Sequence, residues 1–261
     1  MSEAESTVEQ SAIANNRIWV FESSLGGEHA DRAAEIAVKY HGAEQGSGSG
    51  PAGTSYALQT RDDEHVLLPP KDIQKNVQEF RDYVTAHPEF KFQLLHGSLR
   101  KSEQEHAQFA DLMRNVPANC EMPGRTLEIL ERLNTVRIIL LDANITVIDT
   151  DERKRVLDQY FAANEGLWNA EHIEIVSMGA AKSLITNDKY AKGRGYNHRI
   201  INVDSDVYGD DTVTVRELLS ITYATKLICL DDPSSTSTTG HVGALQLAAR
   251  AGLEIESLLI K

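Results

Sequence analysis

The residues with most chemical promise lie in two loops. The turn Ser23-Ser24-Leu25-Gly26-Gly27 is followed, after a helical stretch, by Gly42, Gly46, Gly48, Gly50 and Gly53. Glycine lets backbone N–H groups approach an anion closely, and a helix N-terminus adds partial positive charge. Ser24, Gly26, Gly27, His29, Gly46, Gly48, Ser55 and Tyr56 therefore make a candidate anion cradle, in which Tyr56 either stacks on a base or packs. The same composition also describes a flexible surface loop. The second loop is DDPSSTSTTGH, which follows an apolar run ending at Leu230 and opens a helix at Gly240. There Ser237, Thr239, Gly240 and His241 bring hydroxyls and amides to a helix N-terminus, a phosphate cradle without a lysine; the alternative is a solvated loop with Thr239 as N-cap. Asp204, Asp206, Asp210 and Asp211 suit either a divalent cation or a solvated turn. The histidines show no pair at metal-ligand spacing on one helix face, so no metal and no resident cofactor is expected. Neither loop offers an evident acid, base or nucleophile, and no catalytic residue is assigned.

The elements that must position these loops alternate between apolar strands and amphipathic helices. IWVFESSL reads as a buried strand, and Ala30, Ala33, Ala34, Ala37 and Val38 have helical spacing after it. A strand at 55–59, a helix carrying Ile73, Val77, Phe80 and Val84, a strand at 91–95 and a helix at 103–113 complete a first run. The Pro- and Gly-rich stretch NVPANCEMPGR punctuates the chain near residue 120. A second run follows, with strands at 137–141, 173–177, 199–203, 226–230 and 254–260 and helices at 151–163, 180–193, 213–222 and 240–251. The expected fold is α/β with two tandem domains, in which parallel-strand C-termini form the ligand rims. The expected divisions are an arm at 1–16 with little to bury, a first domain at 17–118, a linker at 119–135 and a second domain at 136–261.

Composition limits the partners. At 261 residues, 41% of them hydrophobic, the chain has material for a sizeable core without disulfides. Its net charge of −13 is spread over both halves and would repel a polyanion, so nucleic acid is not an expected partner. Cys120 and Cys229 form no framework, and no segment has the run of apolar residues needed to span a membrane. The N-terminus lacks the basic and apolar regions of an export signal, and a cytoplasmic location is expected.

The run VFESSLGGEHADRAAEIAVKYHGAEQGSGSGPAGTSYALQT, continued by LLPPKDIQKNVQEFRDYVTAHPEFKFQLL, resembles a family of small macro-domain-like proteins frequent in phages and their hosts. The resemblance covers residues 17 to about 115 and implies phosphate and ribose loops at Ser24 to His29 and Gly46 to Tyr56. The chain departs from that pattern at Ala30-Asp31-Arg32-Ala33-Ala34, where two glycines are lost, and at His96-Gly97-Ser98-Leu99-Arg100, where Arg100 can replace lost amide contacts to phosphate. Residues 136–261 resemble the SLOG superfamily of Rossmann-like nucleotide-binding domains. That resemblance places Gly179, Ala180 and Lys182 at the central glycine turn, Arg216 with Glu217 at a paired position, and Ser237, Gly240 and His241 at the final turn. Asp142-Ala143-Asn144 stands at the first turn, and Ala244 where the superfamily's hydrolases carry a catalytic glutamate. Together the resemblances imply a small-molecule partner. It would be an NAD- or ADP-ribose-derived signalling nucleotide, bound and sequestered without turnover, as by a phage-encoded sponge acting in host cytoplasm. The alternative is a nucleotide N-glycosidase, phosphoribohydrolase or ADP-ribose hydrolase that uses Glu217 or Asp31. A homo-oligomer is also expected, since parallel α/β modules commonly bury a helix face between subunits.

Overall fold

A computed structural model of the chain describes residues 16–95, 102–132, 135–143, 150–164, 172–178, 181–231 and 242–260. Residues 1–15 of the expected arm lie outside the described residues. The chain is α/β, built on two five-stranded sheets.

The first sheet has the order β2-β3-β1-β4-β5. Its strands are β1 (Arg17–Ser24), β2 (Gly50–Ala52), β3 (Ser55–Arg61), β4 (Lys91–Leu94) and β5 (Cys120–Glu121). All are parallel except β2, which pairs antiparallel with β3. Helices α1 (Arg32–Tyr40), α2 (Pro70–Ala86) and α3 (Glu103–Leu112) cover it, and a short α4 (Gly124–Ile129) follows β5. Every residue of β1 after Arg17 is buried, because helices cover both faces, which is why the strand reads as a near-continuous apolar run. Ile18 and Val20 meet Ile73, Val77, Phe80 and Val84 of α2 on one face. Trp19 and Phe21 meet Ala33, Ala34, Ile36 and Ala37 of α1 on the other. Strand β2 lies in the glycine-rich segment, whose composition carries no alternation to announce it. Both β5 and α4 fall within or beside the expected linker.

The second sheet is wholly parallel, in the order β10-β9-β6-β7-β8. Its strands are β6 (Val136–Ala143), β7 (Ile173–Ser177), β8 (Asn197–Ile200), β9 (Lys226–Asp231) and β10 (Glu254–Leu259). The chain starts in the middle, builds outward through β7 and β8, then returns to the other side, a Rossmann-like arrangement whose switch point lies between β6 and β9. Helices α5 (Thr150–Asn164), α6 (Ala181–Arg194), α7 (Ser205–Tyr208), α8 (Thr212–Tyr223) and α9 (Val242–Arg250) accompany it. The strand expected at 199–203 sits two residues earlier. Pairing of Asn197 with Glu174 and Arg199 with Val176 sets its register, and Ile201 to Val203 run on past the sheet.

Helix α8 joins the two halves. Its Ile221 packs with Ile139, Leu141 and Leu227 of the second sheet. Its Val215 and Leu218 pack with Trp19, Phe21, Ala33 and Leu95 of the first. Spacing of three residues puts these side chains along one helix, which closes two cores at once. The junction is reinforced where Lys39 and Tyr40 of α1 reach Asp211, and where the Tyr40 hydroxyl donates to the carbonyl of Tyr208 at 2.8 Å.

Candidate functional site

The first predicted loops do come together, and they hold each other. Gly46 N–H donates to the Gly27 carbonyl at 3.1 Å. A Cβ on Gly27 would stand 2.4 Å from the Ser47 nitrogen, and one on Gly48 would stand 2.3 Å from the Ser24 carbonyl oxygen. Glycine is therefore required here by the close approach of two chain segments. The Gly26 amide donates to Asp63, and the Ser24 hydroxyl accepts from the Glu28 amide at 3.0 Å. Ser55 donates its hydroxyl to the Ala52 carbonyl.

Two residues expected to face a ligand are packed inside. His29 is buried edge-on against Phe21, with one ring nitrogen 2.9 Å from the Glu44 carbonyl and the other 3.4 Å from the Ser23 hydroxyl. Tyr56 lies in the core against Phe80 and Tyr83, so its ring packs rather than offering a stacking face. Asp31, read as a carboxylate beside a phosphate loop, is the N-cap of α1 and accepts from the Ala34 amide at 2.9 Å.

Arg100, Asn144, Gly179, Ala180, Ser237, Thr239, Gly240 and His241 lie outside the described residues. Lys182 falls in the first turn of α6, and Arg216 and Glu217 lie on α8. Burial raises the Glu217 carboxyl above its ordinary range, against a smaller opposing effect of Arg216. Among the aspartates, Asp204 caps α7 and Asp211 binds Lys39 and Tyr40. Among the described residues no group of three His, Cys, Asp or Glu side chains could hold a metal ion.

A cleft of about 830 Å³ opens elsewhere, between the two sheets. Its walls come from the start of β1, the start of β6, the end of β8 and the end of α8. Arg137 and Arg199 both stand over the ring of Tyr223, their guanidinium carbons 4.0 and 4.4 Å from its centroid. Strand register explains the pairing: Arg137 lies opposite Glu174, Glu174 opposite Asn197, and Arg199 follows on the same face two residues later. The Tyr223 hydroxyl donates to Glu174 at 2.6 Å, and Arg137 Nε is 4.0 Å from the same carboxylate.

Arg137 thus lies near the Glu174 carboxylate, while Arg199 donates to the Tyr223 hydroxyl at 3.3 Å. Burial lowers the pKa of Arg137, with a further contribution from the like charge of Arg199. Its Nε is buried without a hydrogen-bond partner. A buried charged donor without a hydrogen bond, beside a second cation, is costly.

Packed rings also line the cleft. The Trp19 and His41 rings are stacked at 4.6 Å and 14°, and the Tyr208 hydroxyl lies 3.2 Å from His41 Nε2. Burial lowers the His41 pKa to about 4, so this ring is a neutral partner at physiological pH. Arg17 lies at the mouth and donates to Gln93 and Glu121. The volume is within the usual range for small-molecule sites, and the mixture of apolar walls with a few placed charges is typical of them. No motif announces this site, because Arg137, Arg199 and Tyr223 converge only through sheet register and the return of α8. The one local signal is a cation opening the apolar run RIILL.

Comparisons with protein families, with curated proteins and with solved structures give no match for this chain.

Proposed function

We propose that the chain binds a nucleotide in the cleft between its sheets and holds it without turnover. The observation that carries this reading is the pair Arg137 and Arg199 over Tyr223, with a buried guanidinium Nε that makes no hydrogen bond, in a chain of net charge −13. Phosphate oxygens suit the guanidinium fork, and a base or nicotinamide ring suits the aromatic lining. The resemblances to macro-domain-like and SLOG proteins favour an NAD- or ADP-ribose-derived ligand held as a sequestered signal.

The test is to incubate the protein with NAD, ADP-ribose, cyclic ADP-ribose isomers and cyclic dinucleotides, remove free ligand, denature, and identify what is released by mass spectrometry. Release of an intact nucleotide supports the proposal. Arg137→Ala and Arg199→Ala should each weaken its binding by ~1.5–3 kcal/mol, the worth of a charge-assisted hydrogen bond. Recovery of no nucleotide, or unchanged affinity in both variants, would refute it. A second reading, hydrolysis of a nucleotide held outside the cleft, rests on Glu217, whose burial-raised carboxyl would stand 3.6 Å from a Cβ on Gly243 near the start of α9. A cleaved product that disappears in Glu217→Gln would establish it.

A further inference from the structure

The rim of the second sheet holds a relay of side chains separate from the cleft. Ser177 ends β7, and its Oγ lies 2.9 Å from Nε2 of His198 on β8. His198 Nδ1 lies 3.1 Å from Oδ1 of Asp188 on α6. We propose that Ser177, His198 and Asp188 form a nucleophilic relay that hydrolyses a small carboxylic ester.

Arg153 at one end and Asp188 at the other set the directions of the relay's hydrogen bonds. Arg153 can only donate; its Nε goes to Asp142 at 2.7 Å and its Nη2 to Oδ1 of Asn187 at 2.6 Å. The Asn187 amide is thereby oriented, and its Nδ2 donates to Ser177 Oγ at 3.0 Å. Ser177 accepts from Asn187, which leaves its proton available for His198 Nε2. Asp188 is acceptor only, so it takes the Nδ1 proton and holds the imidazole in the tautomer with a free lone pair at Nε2. Simple satisfaction of a serine hydroxyl needs one acceptor. Here the acceptor is an imidazole backed by a carboxylate, the arrangement that turns a hydroxyl into a nucleophile.

Position and charge narrow the substrate. Ser177 stands at the C-terminal end of a parallel strand, and the fourteen-residue helix α6 begins four residues later, its N-terminal partial charge suited to a developing oxyanion. Among the described side chains bonded to the relay, Arg153 and Lys192 are both committed to carboxylates, and a neutral carbonyl needs no further cation. Ser177 is 1% exposed, so turnover requires the side chains that cover its Oγ to move aside. In the first step Ser177 Oγ bonds to the carbonyl carbon and its proton moves to His198 Nε2. The C–O bond to the alcohol then breaks and the alcohol leaves with that proton. Water attacks the acyl-serine, gives a proton to Nε2, and the carboxylic acid departs as Ser177 recovers its proton.

The experiment uses the full chain and p-nitrophenyl acetate, with nitrophenolate release followed by absorbance and acid-quenched protein mapped by peptide mass spectrometry. The expected result is an acetyl group on Ser177 and turnover that is lost in Ser177→Ala. Asp188→Asn, on the outer side of α6, should keep the fold and slow turnover by roughly 10³- to 10⁴-fold, because the wrong tautomer then faces the serine. Acetylation confined to lysines or to other serines in the wild-type protein overturns the proposal, as does turnover that Asp188→Asn leaves unchanged.

Discussion

Acid should weaken this protein through His41, and the size of the effect follows from its surroundings. The ring is 7% exposed, stacked on Trp19 from the first half and approached by Tyr208 from the second. Burial lowers its pKa to about 4 from the ordinary 6.5. Between those values the unfolded chain binds a proton that the folded chain refuses, so stability is fully present above pH 6.5 and is lost as pH falls toward 4. Each pH unit in that window is worth about 1.4 kcal/mol, so moving from pH ~7.5 to ~5 costs about 2 kcal/mol, roughly a thirtyfold change in the folding equilibrium. Urea unfolding of the wild type and of His41→Gln at both pH values isolates the contribution. The variant should be less stable at neutral pH for loss of the stack, and its further loss on acidification should be smaller than the wild type's by about 2 kcal/mol. Equal acid losses in the two proteins would refute the argument, since the proton would then be taken up elsewhere.

Two other perturbations probe the junction and the cleft. Leu218→Ala removes a buried side chain from a core that both halves build, and should cost about 2–5 kcal/mol by chemical denaturation while the transition stays single. Gly124→Ala places a Cβ 2.3 Å from the Tyr223 carbonyl oxygen and 2.6 Å from that of Ala224. That overlap should cost ~1–3 kcal/mol and displace the ring beneath Arg137 and Arg199, which a nucleotide titration would read as weakened binding.

Much of the fold was legible because its elements are locally consistent. In α2 the apolar residues Ile73, Val77, Phe80 and Val84 are the ones buried, as their spacing requires. The strand IIL of β6 reads as fully apolar because helices cover both its faces. Strands without an apolar signature were harder to read. Strand β2 is Gly-Pro-Ala at an edge, and β8 is the polar Asn-His-Arg-Ile, so pairing with a neighbour, a non-local property, decides where they begin and end. The sites follow the same division. Glycines at 27 and 48 did mark a special backbone approach, but the approaching group is another loop of the same chain. Arg137 with Arg199, and Ser177 with His198, become neighbours through parallel register, and no spacing in the sequence encodes that.

Sharing α8 between two cores also constrains the order in which the chain can mature during synthesis. The face of the first sheet formed by Trp19, Phe21 and Leu95 is complete in the polypeptide long before Val215 and Leu218 are made. A nascent chain emerging from the ribosome N-terminus first must carry the part of that apolar face that α1 leaves to α8 uncovered, or screened by some other surface, until the segment around residue 220 has been translated. Final closure of the first half therefore waits on the second, and a pause or truncation between residues 136 and 212 would leave an aggregation-prone intermediate rather than a finished N-terminal module.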